Sequence, residues 1–120
     1  MSDIYSEILI NHYKHPFNYG KPSHFHKSGE AINEMCGDEL QVYILTEENK
    51  IDKIFFTGNG CAICLGTMSI LSEELEGKSL ERLKEVDEAY ILKKINMKPD
   101  SSRIKCATLS LDALHDALSA

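Results

Sequence analysis

The residues of this 120-residue chain best suited to chemistry are its four cysteines, at positions 36, 61, 64 and 106, together with Asp38. Cys36 stands in Asn33-Glu34-Met35-Cys36-Gly37-Asp38, ahead of an alternating segment. Cys61 follows the turn Gly58-Asn59-Gly60 and opens an apolar, helix-like run, and Cys106 falls in the first turn of a last amphipathic segment. Each therefore sits where a loop leads into a regular element. A helix N-terminus favours the thiolate, which is the form that binds metal and attacks sulfur. Gly37 lets the backbone turn tightly enough for Cys36 and Asp38 to point at one centre. Three sulfurs and one carboxylate oxygen make a four-coordinate set. Zinc accepts such ligands at about 2.3 Å for sulfur and about 2.0–2.2 Å for oxygen, and cysteine thiolates also hold iron-sulfur clusters, so ligand type leaves both occupants open.

Cys64 lies one helical turn beyond Cys61 and reads first as a small core residue, with a resolving thiol or a spare ligand as the chemical alternatives. A single CxxC without a thioredoxin-like βαβ pattern argues against an oxidoreductase, and no second CxxC completes a zinc ribbon. Lys105, next to Cys106, either steadies a thiolate or persulfide by its charge or is an idle solvated lysine. His12, His15, His24, His26 and His115 lack the spacing of a helical metal pair and read as surface residues. No Gly-rich phosphate loop or serine nucleophile elbow is present, which removes the common hydrolase, kinase and dehydrogenase classes.

The elements that must carry these residues follow from periodicity. Residues 3–14 predict a helix, capped by Asp3, with Ile4 and Ile8 on one face and Pro16 as its stop. Residues 39–46 and 51–57 alternate around Leu40, Val42, Ile44, Ile54 and Phe56, with Glu47-Glu48-Asn49-Lys50 as a hairpin turn, and a weaker strand is expected near residues 30–34. The run after Cys61 is a helix with Leu65, Met68, Leu71 and Leu75 on a broad apolar face, ending at Gly77. Ser79 and Asp87 cap two further short helices. A last helix starts near Arg103 and packs through Ile104, Thr108, Leu111, Leu114 and Leu118. The order is that of an α+β fold, a small antiparallel sheet packed against helices, in one domain over residues 1–120.

A formal net charge of −6 repels a phosphate-rich partner, so nucleic-acid binding is not expected. Neither a signal peptide nor a membrane span is visible, which predicts a cytoplasmic protein away from the membrane, whose thiols stay reduced.

Cys36-Gly37-Asp38, Gly58-Asn59-Gly60-Cys61-Ala62-Ile63 and Arg103-Ile104-Lys105-Cys106-Ala107-Thr108-Leu109 together resemble the IscU, SufU and NifU N-terminal family of iron-sulfur cluster assembly proteins. The opening Ile4-Tyr5-Ser6-Glu7-Ile8-Leu9 and His12-Tyr13-Lys14-His15-Pro16 extend the resemblance over nearly the whole chain. It implies a three-stranded antiparallel sheet backed by helices, the SufE/NifU fold, with Cys36, Asp38, Cys61 and Cys106 as ligands at one end. In the scaffold branch, a cysteine desulfurase of the IscS, SufS or NifS type delivers sulfur and iron joins it. A transient 2Fe–2S cluster then rests on the thiolates before passing to acceptor apo-proteins or cluster carriers. In the SufU branch the same four residues hold zinc, and a cysteine accepts persulfide for onward transfer.

Features of both branches are present. The Gly-Cys-Ala-Ile and Arg-Ile-Lys-Cys-Ala-Thr-Leu blocks look SufU-like, with Lys105 where IscU proteins carry a histidine. The spacing from Cys61 to Cys106 lacks the SufU insertion, and Met97-Lys98-Pro99-Asp100 stands near where IscU has its Leu-Pro-Pro-Val-Lys chaperone-binding run. The resulting expectation is a cluster scaffold, monomeric or weakly dimeric, with a zinc-dependent sulfurtransferase as the alternative. Cys106, at an expected exposed helix start, is the persulfide acceptor of choice, with Cys61 as its competitor. Asp38 is a weak, exchangeable ligand that keeps the site labile.

Overall fold

The structure is a computed structural model and describes residues 7–35 and 37–119. Its elements run α1 (Glu7–Lys14), β1 (Lys27–Asn33), β2 (Asp38–Glu47), β3 (Lys50–Asn59), α2 (Ala62–Leu75), α3 (Leu80–Glu85), α4 (Glu88–Ile95) and α5 (Ile104–Leu118). The three strands form one antiparallel sheet in the order β1-β2-β3. Between β2 and β3, Glu48 and Asn49 both have positive φ, 52° and 66°, the backbone of a two-residue type I′ turn that matches strand twist. The strand expected at 30–34 starts three residues earlier, because its pairing with β2 runs from Lys27 opposite Ile44 to Asn33 opposite Asp38.

Alternation works as the period of two requires. Leu40, Val42, Ile44, Ile54 and Phe56 are fully buried on one sheet face, which α2 covers along β3 and α5 covers along β1 and β2. Sandwiched between α1 and the sheet, α2 is buried nearly all round, from Ile63 to Leu75. The Ser79 hydroxyl accepts a hydrogen bond from the Arg82 amide, and the Asp87 carboxylate one from the Tyr90 amide, so both short helices carry the expected caps.

Two helix faces differ from expectation. On α1 the inward residue is Leu9, while Ile8 is 57% exposed; Asp3 and Ile4 lie outside the described residues. Leu9 sits so close to α2 that a Cβ at Gly66 would be 2.8 Å from its carbonyl oxygen. His12, one turn further along α1, faces the same way rather than lying on the surface. The Phe17 amide donates to the Ser69 hydroxyl at 2.7 Å, the Ser69 hydroxyl and His12 Nδ1 share a hydrogen bond at 2.7 Å, and His12 Nε2 lies 3.2 Å from the Glu73 carboxylate. On α5 the buried face is Cys106, Ala107, Leu109, Ser110, Ala113, Leu114 and Ala117, whereas Ile104, Thr108, Leu111 and Leu118 are half-buried. Small residues face inward because α5 lies almost against β1: a Cβ at Gly29 would be 2.4 Å from both the Ala113 carbonyl oxygen and the Ala117 amide nitrogen.

Candidate functional site

Antiparallel pairing sets Glu39 opposite Asn59, so the start of β2 and the end of β3 share one edge of the sheet. Asp38 opens β2 there, and Cys61 lies two residues beyond β3. The first turn of α5, laid along β1 and β2, brings Cys106 to the same end. One ligand atom from each of Asp38, Cys61 and Cys106 lies within 4.8 Å of the others, although Cys106 is 68 positions from Asp38. The Cys61 thiol donates to the Asp38 carboxylate at 3.9 Å. Cys36, the fourth residue of the expected set, lies outside the described residues.

Cys61 is the N-cap residue of α2, with φ −76° and ψ 174°, and its side chain makes no capping bond. Its sulfur turns to Asp38 and leaves the first helical amides uncapped by a side chain. Asp38 and Cys106 are buried, at 6% and 8% exposure, and Cys61 is half-buried. The expected exposure of Cys106 is therefore corrected: its helix turn is pressed onto the sheet, and Cys61 is the more accessible sulfur. Cys64 is fully buried in the core, the first of the three roles open to it.

The three residues open onto a cleft of about 510 Å³, also lined by Asn33, Met35, Ser102, Arg103 and Lys105. Arg103 and Lys105 are exposed and flank Cys106 in sequence with one residue between them, placing two cations at the mouth. Met35 is 97% exposed there. Arg103 escaped the sequence reading of the site, although the pair of basic residues around a candidate ligand was the available signal. Gly60 escaped it as well. A Cβ at residue 60 would stand 3.0 Å from Cys64 Sγ and 3.2 Å from Asp38 Cγ, so only glycine leaves both side chains where they are.

Two thiols and a carboxylate on one small cleft are the donor types that zinc and iron-sulfur clusters take, and a buried carboxylate is costly without a counter-charge, which a bound cation supplies. The arrangement defines an α+β domain with a thiol-and-carboxylate cluster of the kind that can hold a metal ion. The comparisons with known proteins narrow that class. Residues 4–120 match the family described as the NifU-like N-terminal domain, and the chain belongs to that family. It is 30% identical to iron-sulfur cluster assembly scaffold protein IscU 1 of Archaeoglobus fulgidus, over 96% of this chain and 74% of that one. It is 27% identical to the zinc-dependent sulfurtransferase SufU of Bacillus subtilis, over 95% and 88%. Among solved structures, one described as a candidate iron-sulfur cluster assembly scaffold for the SUF system of Fervidobacterium islandicum superposes with a TM-score of 0.76 at 32% identity, covering 96% of both chains. The N-terminal NifU-like protein of Brucella abortus gives 0.79 at 16% identity, a likeness of fold.

Proposed function

We propose that this protein is an iron-sulfur cluster assembly scaffold, on which iron and desulfurase-derived sulfur are joined and from which the product passes to acceptor proteins. The observation that carries the reading is the meeting of Asp38, Cys61 and Cys106 on one cleft, in a chain whose relatives include named scaffolds. Cys61 and Cys106 are the thiolate ligands, with Cys36 as the third sulfur, and Asp38 contributes the exchangeable oxygen. The cluster is cargo, so a ligand that lets go is an advantage: an oxygen donor binds soft iron-sulfur units less firmly than thiolate does. Arg103 and Lys105 at the mouth stabilise the negative charge that accumulates as thiolates and sulfide gather. A cysteine desulfurase is the source of sulfur, approaching Cys61 as the accessible thiol.

A second reading, a zinc-dependent sulfurtransferase, is supported by the SufU relative and by the same donor set. Zinc held by these residues would keep the thiolates deprotonated and ordered. The alignment with SufU extends over 136 positions against 121 for the Escherichia coli scaffold IscU, each covering 95% of this chain. That length does not separate the two readings, since the scaffold IscU of Streptococcus pyogenes aligns over 137 positions. The deciding experiment is anaerobic purification without added metal, followed by measurement of zinc, iron and acid-labile sulfide per chain and of desulfurase turnover with and without the protein. Labile metal and a reconstitutable, transferable cluster support the scaffold, whereas one tightly held zinc with strong desulfurase stimulation establishes the transferase instead.

A further inference from the structure

Cys64 takes no part in the scaffold reading, yet its sulfur lies at the level of the site. In an α-helix, long side chains lean back toward the N-terminus, and Cys64, at the third position of α2, does so. Its Sγ lies 3.0 Å from where a Gly60 Cβ would be, beside the Asp38 carboxyl carbon at 3.2 Å from the same point. Cys61 occupies the N-cap immediately after Gly60, and its carbonyl accepts the first helical bond, from the Leu65 amide at 3.0 Å. In a capping box the N-cap and N3 side chains each reach the other residue's backbone N–H, so both lie on the same side of the helix start. Residues three apart on a helix have Cα atoms about 5 Å apart, inside the roughly 4.4–6.8 Å that a disulfide spans. Residue 61 keeps extended backbone angles, so its side chain can swing from Asp38 to Cys64 by rotation about χ1 without unwinding α2.

We infer that Cys61 and Cys64 form a reversible redox lock, an intrahelical disulfide that withdraws Cys61 from the metal- and sulfur-handling site under oxidising conditions. The oxidant class is a peroxide. Cys61 Sγ attacks one peroxide oxygen, forming an S–O bond as the O–O bond breaks and hydroxide leaves. Cys64 sulfur then attacks the sulfenic sulfur, forming S–S and expelling a second hydroxide. The two thiol protons convert both hydroxides to water, so one peroxide is reduced as two thiols are oxidised. A half-buried attacking sulfur and a fully buried resolving sulfur divide the roles, because the peroxide meets Cys61 first. The lock protects Cys61 from further, irreversible oxidation while no cargo can be loaded, and a thiol reductant reopens it. Formation of the disulfide is independent of the cargo; its effect on loading rests on the scaffold reading.

The test treats the full chain, freed of metal by chelator and reductant, with one equivalent of hydrogen peroxide, followed by denaturing alkylation and tryptic mass spectrometry. Residues 54–78 form one tryptic peptide holding both cysteines. The expected product is that peptide two hydrogens lighter and unalkylated, with zinc uptake lowered at least ten-fold and regained after dithiothreitol. Cys64→Ser, or Cys64→Ala if serine unfolds the core, treated with two equivalents so that the second peroxide oxidises the sulfenic acid formed by the first, should send Cys61 to the sulfinic acid, with uptake that dithiothreitol does not restore. Wild-type Cys64 found alkylated while Cys61 is sulfinic or bridged elsewhere overturns the lock. A lighter peptide with undiminished zinc uptake keeps the lock and overturns Cys61 as a metal ligand.

Discussion

Gly29→Ala tests whether the close contact of α5 with β1 holds the site together. The new Cβ would stand 2.4 Å from the Ala113 carbonyl oxygen and from the Ala117 amide nitrogen, against about 3.4 Å for an ordinary contact, so α5 must lift or tilt by about 1 Å. Both obstacles are main-chain atoms and cannot rotate away. Forced overpacking of this kind costs about 1–3 kcal/mol, and in a domain of this size each kcal/mol lowers Tm by roughly 4 °C, so a fall of about 4–12 °C is expected by calorimetry or circular dichroism. Because α5 carries Cys106, zinc affinity measured by competition with a chelating dye should fall too, by about ten-fold as for other changes to the support of a ligand. Ala117→Gly on the Gly29→Ala background should restore neither quantity, since removing a side chain leaves the main-chain clash in place. An unchanged Tm, or rescue by that second substitution, would refute the close-packing argument.

Asp38→Ala removes the exchangeable ligand and should slow transfer of a bound cluster to an acceptor several-fold while leaving assembly possible; loss of binding with faster release would contradict this. His12→Ala breaks the links from α1 to Ser69 and Glu73 and should cost on the order of 1–2 kcal/mol, with faster amide exchange in α1 than in α2. Tyr90 and Lys94 both engage Glu74 and titrate above their ordinary values of 10.0 and 10.5, Tyr90 chiefly through burial and then the Glu74 hydrogen bond, Lys94 chiefly through its hydrogen bond to Glu74. Raised values mean that this stabilisation is complete below about pH 10 and is lost as pH rises through the shifted values. Glu74→Gln should therefore lower stability at neutral pH by on the order of 1 kcal/mol and flatten the alkaline fall in urea titrations; an alkaline fall as steep as the parent's would contradict the pairing.

Much of this arrangement was legible because it is periodic or locally capped. Alternation through Leu40, Val42 and Ile44 marked β2 and its buried face, and Ser79 and Asp87 marked helix starts by side-chain chemistry that acts within three residues. Cys61 and Cys106 were legible as helix-start residues for the same reason. Their convergence was legible only through the family resemblance and not from local pattern, since it depends on the register of β2 with β3 and on where α5 lies. Large apolar residues marked the flank of α5, where Ile104, Leu111 and Leu118 pack half-buried against the core beside fully buried Leu114, whereas the innermost face is chosen by how near the helix comes to Gly29, and a close approach selects alanine and serine. The burial of Cys106 follows from that approach and has no local signal. Likewise the turn of His12 toward Ser69 depends on a contact 57 positions away.

The central claim is that Asp38, Cys61 and Cys106 act together in holding iron-sulfur cargo. Anaerobic reconstitution with ferrous iron, L-cysteine and a cysteine desulfurase, followed by absorption spectroscopy and transfer to an apo-ferredoxin, tests it most directly. A thiolate-ligated cluster that passes to the ferredoxin is expected in the parent, and its loss in folded Cys61→Ser and Cys106→Ser. A cluster that forms and transfers equally well in either variant would contradict it.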